Sequence, residues 1–147
     1  MEDMDFHKKM AVDLFNGVWD LLDKKDRTDE DNQTMINAAH ASCYHWSKVG
    51  TPINAVRGDW QISRVYSVLG RSEPALYHGQ RCLNECQKHG IGDFDLAFAF
   101  EAVARAQAVA GNTAERDKYV QLANEAGEAI AEKDDKDYFF SELGTIL

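Results

Sequence analysis

Apolar residues recur along this chain every three to four positions, the spacing of amphipathic helices rather than the alternation of strands. In the first segment Phe6, Met10 and Leu14 begin such a stripe. Charged or glycine-containing stretches interrupt the pattern, as helix connections do. The pattern predicts six helices, over about 5–23, 29–49, 52–70, 72–89, 93–110 and 113–131, followed by an apolar tail at 138–147.

Residues that favour helix ends lie between the predicted helices. Gly70 and Gly111 suit the left-handed turn that ends a helix. Pro52 suits a first helical turn, since its fixed φ matches the helix and it needs no N–H partner there. Ser72 is the expected N-cap of the fourth helix. Because the connections are short, we expect consecutive helices to run antiparallel and to stack as hairpins.

Two segments are more apolar than a surface helix requires. The segment from Ala97 to Ala110 contains seven alanines and is apolar nearly all round, which predicts a helix in the middle of the assembly. The tail from Tyr138 to Leu147 is too apolar for a free terminus. Either it forms a seventh helix that caps the stack, or it packs on a second copy and makes a homodimer.

The composition indicates one folded domain and excludes some classes of partner. The 147 residues are 44% hydrophobic, enough for one core of ordinary size. A net charge of −9 argues against binding to nucleic acid or to an anionic membrane. No apolar run approaches the roughly 20 residues of a membrane span, and the acidic start MEDMDFHKKM has no signal-peptide core. Three cysteines within predicted helices favour free thiols and hence a cytoplasmic protein.

The segments around Gly70 and Gly111 resemble the tetratricopeptide repeat (TPR), a helix-turn-helix unit of about 34 residues. The first copy matches through Ile62-Ser63-x2-Tyr66, followed after the turn by Ala75-x3-Gly79-x2-Cys82. The second copy matches through Phe100-x2-Val103-Ala104-x2-Gln107, followed by Arg116-x3-Val120-x2-Ala123. Both copies are degenerate, because Asp59 takes an aromatic position beside Trp60 and Arg116 replaces a small residue.

This resemblance implies an all-α superhelix of stacked antiparallel hairpins, with six to seven helices in one domain over 1–147. Its parts are a degenerate hairpin at 1–50, hairpins at 51–90 and 91–133, and a capping or dimerisation tail at 134–147. In such folds the first helix of each pair lines a concave groove, which mostly binds proteins or peptides. The resemblance therefore places five side chains in the groove: Arg57, Trp60, Arg64, Glu101 and Arg105.

Polar residues also recur at helical spacing along the third helix, beside Trp60: Asn54, Arg57, Gln61 and Arg64. A guanidinium binds a carboxylate or phosphate bidentately, so this stripe is a candidate surface for an acidic or carboxylate-ended segment. The alternative is a solvated helix face, on which Arg105 pairs with Glu101 four residues before it.

Histidines and cysteines form two further groups. His40 and Tyr44 share a face of the second helix, and they either extend the binding surface or lie at the edge of the core. The fourth helix aligns four soft metal ligands on one face: His78, Cys82, Cys86 and His89. These residues span three turns, too far to meet at one ion, and Cys82 falls on a small buried position of the repeat pattern. We therefore expect no metal and no cofactor.

The chain contains no Gly-rich phosphate loop, no G-x-S-x-G and no H-E-x-x-H, so we do not expect an enzyme. The leading hypothesis is a cytoplasmic interaction scaffold whose concave face binds a protein or peptide segment. The alternative is a small-molecule-sensing or regulatory domain, with a ligand pocket between the second, third and fifth helices.

Overall fold

The computed structural model describes residues 3–146 and shows an all-helical chain, without strands over that range. The predicted all-α class is therefore confirmed, and the tail adds a seventh helix. The predicted tail residue Leu147 lies outside the described residues, as do the first two residues of the 1–50 hairpin. The helices are α1 (Met4–Asp23), α2 (Asp29–Val49), α3 (Pro52–Val68), α4 (Ser72–His89), α5 (Asp93–Ala110), α6 (Thr113–Glu128) and α7 (Lys133–Leu143). Within the described range, none of these helices is long and apolar enough to cross a membrane.

The helices pack as neighbouring pairs in chain order. α1 packs on α2, α3 on α4 and α5 on α6, and each pair contacts the next. Helices α1, α3, α5 and α7 also contact one another in that order. This arrangement confirms the predicted stack of helix hairpins, and it makes one continuous face from the four odd-numbered helices.

The turn between α3 and α4 differs from its prediction. α3 ends at Val68, and Gly70 follows at φ +74°, a left-handed conformation that favours glycine. The Arg71 N–H then donates to the carbonyl of Tyr66 at 2.9 Å and closes the turn. Arg71, not Ser72, is therefore the N-cap of α4, so the predicted N-cap is wrong by one residue.

α6 also ends earlier than predicted, at Glu128 rather than at residue 131. Beyond it, the Ile130 N–H donates to the carbonyl of Gly127 at 3.1 Å. Ile130 is 4% exposed and belongs to an apolar cluster with residues of α5 and α7. Because this side chain must be buried, the chain turns here and α7 can lie against α5 and α6.

α5 lies in the middle of the stack, as its alanine content predicts. It contacts α3, α4, α6 and α7, and Ala97, Ala99 and Ala104 are fully buried. Small side chains let the neighbouring backbone come close, since a Cβ added at Gly79 of α4 would lie 3.4 Å from the backbone nitrogen of Val103. α5 is therefore the element against which the other helices pack.

α7 covers one end of this core. Phe139 is fully buried and Leu143 is 7% exposed, in a cluster with Phe98 of α5 and Ala123 of α6. This buried apolar side agrees with the capping alternative for the tail. The homodimer alternative stays a prediction.

Two glycine-to-alanine changes test the docking of α7. Gly127→Ala would place a Cβ 2.5 Å from the buried Phe139 ring, so we expect the free energy of unfolding to fall by about 1–3 kcal/mol. Gly17→Ala is the matched control, because its Cβ meets nothing within 4 Å and alanine is favoured over glycine in a helix by about 1 kcal/mol. Urea denaturation measures both changes. A Gly127→Ala protein as stable as the wild type would contradict the observed position of α7.

Candidate functional site

α3 positions the candidate site residues because it is packed on several sides. It contacts α1, α2, α4 and α5, and its apolar residues Val56, Ile62 and Val65 are at most 2% exposed. The polar residues between them reach out on two sides of the helix. A cavity lies on each side.

The first cavity, which we call the aromatic pocket, lies between α1, α3, α5 and α7 and has a volume of about 420 Å³. Its walls carry six aromatic side chains: Phe15, Trp19, Trp60, Phe94, Phe98 and Tyr138. Trp60 is at the centre of the wall, with its ring centroid 5.4 Å from that of Trp19 and 5.5 Å from that of Phe98. The rings form one continuous apolar surface across four helices.

A second cavity, of about 450 Å³, continues from the aromatic pocket toward the C-terminal end of α3. It shares Trp19 and Tyr138 with the aromatic pocket, while Arg64 and Glu142 give it a more polar lining. The Arg64 guanidinium also lies 5.3 Å from the centre of the Trp60 ring, in a cation–π contact. The two neighbouring cavities lie along the odd-numbered helices, and we call them together the groove.

Arg57 lies at the edge of the aromatic pocket and is paired there. Its Nε and one terminal nitrogen donate to the two carboxylate oxygens of Asp95, at 3.0 and 3.2 Å. This hydrogen bonding raises the pKa of Arg57. The Arg57 side chain is nevertheless 52% exposed, whereas that of Asp95 is 12% exposed. Solvent therefore reaches one side of the guanidinium.

Arg64 and Arg105 meet at the carboxylate of Glu101, which is fully buried. Arg64 donates to Glu101 Oε2 at 3.1 Å, and Arg105 donates to the same oxygen at 2.8 Å. Arg64 also donates to the Glu142 carboxylate at 3.1 Å, and Arg105 donates to Thr145 Oγ1 at 2.8 Å. We call these contacts the buried ion network. It ties α3 and α5 to α7 and to the residues that follow α7.

The polar side chains that were predicted to line the groove thus lie close together, but most of their charged and polar groups already have partners inside the protein. Gln61 is 1% exposed and donates to the carbonyl of Phe15 at 2.9 Å, so it joins α3 to α1. The solvated-face alternative is wrong for Gln61 and Glu101, because both are buried. The Arg105–Glu101 pair that it predicted is present.

His40 and Tyr44 do not lie beside the other predicted binding residues. His40 lies against α3, where its Nε2 is 2.9 Å from the hydroxyl of Tyr66. Tyr44 is 56% exposed, and the Lys48 ammonium lies 5.3 Å from the centre of its ring. The structure therefore separates these two predicted residues from those of the groove.

The sequence predicts a ligand pocket between the second, third and fifth helices. Four cavities in the described part of the chain lie between other sets of helices, so that alternative stays a prediction. The cavity on the other side of α3 lies between α2, α3 and α4 and has a volume of about 520 Å³. We call it the imidazole pocket. Its walls include His40, Asp59, His78 and Arg81.

Asp59 organises the imidazole pocket. It is 7% exposed, its Oδ1 lies 2.9 Å from His78 Nδ1, and its Oδ2 lies 3.4 Å from Arg81 Nε. A buried carboxylate is tolerated only with such partners. In the sequence Asp59 stands out only as a departure from the repeat pattern. Asp59 is three residues from both Val56 and Ile62, so it lies on the apolar side of the helix, and this spacing is the signal in the sequence for a buried polar contact.

The three cysteines are free thiols, as expected. Cys82 and Cys86 are fully buried, which agrees with a packing role. Burial raises the pKa of the Cys43 thiol to about 12, so the thiolate nucleophile is not formed near neutral pH. His78 and His89, the other two residues aligned on α4, lie against carboxylates. In the described part of the chain no three His, Cys, Asp or Glu side chains are arranged to hold a metal ion.

Comparison with protein-family models, with curated proteins and with solved structures gives no match for this chain. The TPR resemblance therefore stays a prediction. The geometry of the groove and of the imidazole pocket is the basis for assigning a function.

Removing the central carboxylate tests the buried ion network. Glu101→Ala leaves Arg64 and Arg105 without their shared acceptor, so we expect the free energy of unfolding to fall by about 3–5 kcal/mol. Arg57→Ala breaks a pair that is half-exposed, and we expect it to cost no more than about 1 kcal/mol. Guanidinium denaturation compares the two variants. Equal losses would show that Glu101 does not have the structural role described.

Proposed function

We propose that this protein is a non-enzymatic binding module whose groove holds a peptide segment of a partner protein. The observation that carries this proposal is that the groove consists of two neighbouring cavities, which share Trp19 and Tyr138 as lining residues. A compact small molecule would fill one cavity, whereas a peptide can place successive side chains in both. The resemblance to TPR proteins, whose corresponding face binds peptides, supports the same function.

The aromatic pocket suits an anchoring side chain of that peptide. Its volume of about 420 Å³ is within the range of about 300–1,000 Å³ that is typical of ligand pockets. The rings of Trp19, Trp60 and Phe98 offer it an apolar surface. Aromatic anchors in pockets of this kind dominate binding energies. We expect the anchor to be an aromatic or large aliphatic residue.

Arg57 sets the charge preference beside this anchor. An acidic residue or a C-terminal carboxylate of the partner would approach the guanidinium from its exposed side and compete with Asp95 for its N–H groups. Arg64 and Arg105 stay with Glu101, because separating them would leave a buried charge unpaired. The expected preference is for one carboxylate rather than an acidic tract, which the net charge of −9 would repel.

The proposal includes a cytoplasmic location, because the free thiols of Cys43, Cys82 and Cys86 suit a reducing compartment. It does not include a homodimer through the tail. Phe139 and Leu143, which such a dimer would use, are buried within the chain.

Selection from a phage-displayed library of random peptides tests the anchor. We expect the selected peptides to share an aromatic or large aliphatic residue. Trp19→Ala removes a wall of both cavities and should weaken their binding by roughly thirtyfold or more, since losing an anchor contact costs about 2 kcal/mol or more. Tyr44→Ala, which removes an exposed ring outside the groove, is the matched control and should bind as the wild type does. Calorimetry gives the affinities. Peptides that bind Trp19→Ala and wild type equally well would refute the proposal.

Two changes at the edge of the pocket test the carboxylate preference. Asp95→Asn frees the Arg57 guanidinium, so the affinity for a selected peptide with an acidic residue should rise several-fold. Arg57→Gln should lower that affinity. A peptide in which glutamine replaces the acidic residue should respond to neither change. Weaker binding of the acidic peptide to Asp95→Asn would contradict the preference for a carboxylate.

A further inference from the structure

The imidazole pocket, on the opposite side of α3 from the groove, carries chemistry that peptide binding does not use. In it the nearly buried Asp59 contacts two side chains of α4, His78 and Arg81. His40 of α2 and Tyr66 of α3 complete the cluster, joined by a hydrogen bond of 2.9 Å. The charges and donors of these groups decide which ligand the cavity can hold.

His78 has a fixed orientation and keeps one ring nitrogen for a ligand. Its Nδ1 lies 2.9 Å from Asp59 Oδ1, so Nδ1 carries the hydrogen and donates to the carboxylate. The ring stacks on Tyr66 at a centroid distance of 6.2 Å and meets Tyr77 edge-on at 5.1 Å. Within residues 3–146, Nε2 has no hydrogen-bond partner, and it is not one of the buried polar atoms that lack a partner. It is therefore accessible from the cavity that His78 lines.

Arg81 and the start of α3 add positive charge to the same cavity. The Arg81 side chain is 52% exposed, with its Nε toward Asp59. The negative charge of Asp59 raises the pKa of Arg81, which stays a cation. Thr51 and Pro52, at the N-terminus of α3, also line the cavity, and a helix has a partial positive charge at this end. The terminal nitrogens of Arg81 can therefore donate to an anion in this cavity.

The net charge of the pocket depends on a proton. Asp59 and Arg81 cancel each other, and the Cys43 thiol is neutral because burial raises its pKa to about 12. Burial, helped by the charge of a protonated His78, lowers the pKa of His40. His78 is thus the group that can become positive when an anion is present. Its imidazolium would donate from Nδ1 to Asp59 and from Nε2 to the anion.

We propose that the imidazole pocket binds an oxyanion, the carboxylate or phosphate group of a small ligand, between Arg81 and His78 Nε2, together with a proton on His78. Asp59 is a positioning residue, since it holds the imidazole ring by its other nitrogen. Each anion then brings one proton to the protein. The affinity therefore increases as the pH falls.

NMR of the histidine Hε1 resonances during titration with sodium sulfate tests this site, because the charge of sulfate is constant near neutral pH. We expect the His78 resonance to shift and to saturate, and the midpoint of its pH titration to rise when sulfate is present. The affinity for sulfate should increase as the pH falls, as one coupled proton requires.

His89 is the internal control, because it lies on the same helix and pairs with Glu85 instead of lining the cavity. It should respond to sulfate no more than to sodium chloride of equal ionic strength. A His78 response as small as that of His89 would overturn the proposal. This measurement uses the wild-type protein and does not depend on whether any variant folds.

Variants separate a specific site from general electrostatics. Arg81→Gln should abolish the sulfate response of His78, whereas Lys88→Gln, the same charge change at an exposed position of the same helix, should preserve it. His78→Gln can still donate to Asp59 but takes up no proton, so its sulfate affinity by calorimetry should be weak and independent of pH. Equal effects of the Arg81 and Lys88 changes would overturn the proposal in favour of non-specific screening.

Acetate and methyl phosphate, titrated in the same way, distinguish the two sources of the oxyanion. An acetate response as strong as that of sulfate would support the site and assign it to a carboxylate. A response to sulfate and methyl phosphate alone would support the site and assign it to a phosphate group. No His78 response to any of the three anions would overturn the proposal.

Discussion

The structure depends on one buried carboxylate, Glu101, in the most enclosed helix of the stack. A charge at this place in α5 is costly unless it is paired. Arg64 from α3 and Arg105 from α5 converge on one of its oxygens, Oε2, and balance its charge, whereas the buried Oε1 has no hydrogen-bond partner among residues 3–146. The same two arginines reach Glu142 and Thr145 at the C-terminal end of the chain. The contacts that make the central charge tolerable therefore also fix α7, which provides one wall of the groove.

α3 serves two cavities because its polar residues project on two sides of a helix that is packed by its neighbours. Arg57, Trp60 and Arg64 follow helical spacing and line the groove. Asp59 lies on the opposite side and lines the imidazole pocket. Val56 is almost fully buried between these positions and holds the helix in place. Both cavities thus have one rigid wall, which favours binding sites whose geometry exists before the ligand arrives.

A common feature of both sides is that the arginines of the cavities already have carboxylate partners. Arg57 pairs with Asp95, Arg64 with Glu101 and Glu142, and Arg81 with Asp59. In a protein with a net charge of −9, these pairs leave little unbalanced positive charge at either cavity. A ligand carboxylate in the groove must compete with Asp95. An oxyanion in the imidazole pocket needs a proton on His78. Each proposed site is therefore selective, because a carboxylate of the protein competes with the ligand for the N–H groups of the arginine.

The sequence by itself determined the helices, their approximate ends and the burial of α5. These features depend on local sequence: the spacing of apolar residues along each helix, and the glycine and proline residues close to its ends. It also placed Arg57, Trp60 and Arg64 on one face of α3. Only the tertiary structure decided which charges are buried and with what partners. Arg64 and Glu142 are 78 positions apart in the chain, and Asp59 meets His78 only because α3 and α4 pack together. The spacing of polar residues along a helix is the same whether that face of the helix contacts water or another helix. Only the packing of the helices could therefore show that Gln61 and Glu101 are buried and do not belong to a solvated face.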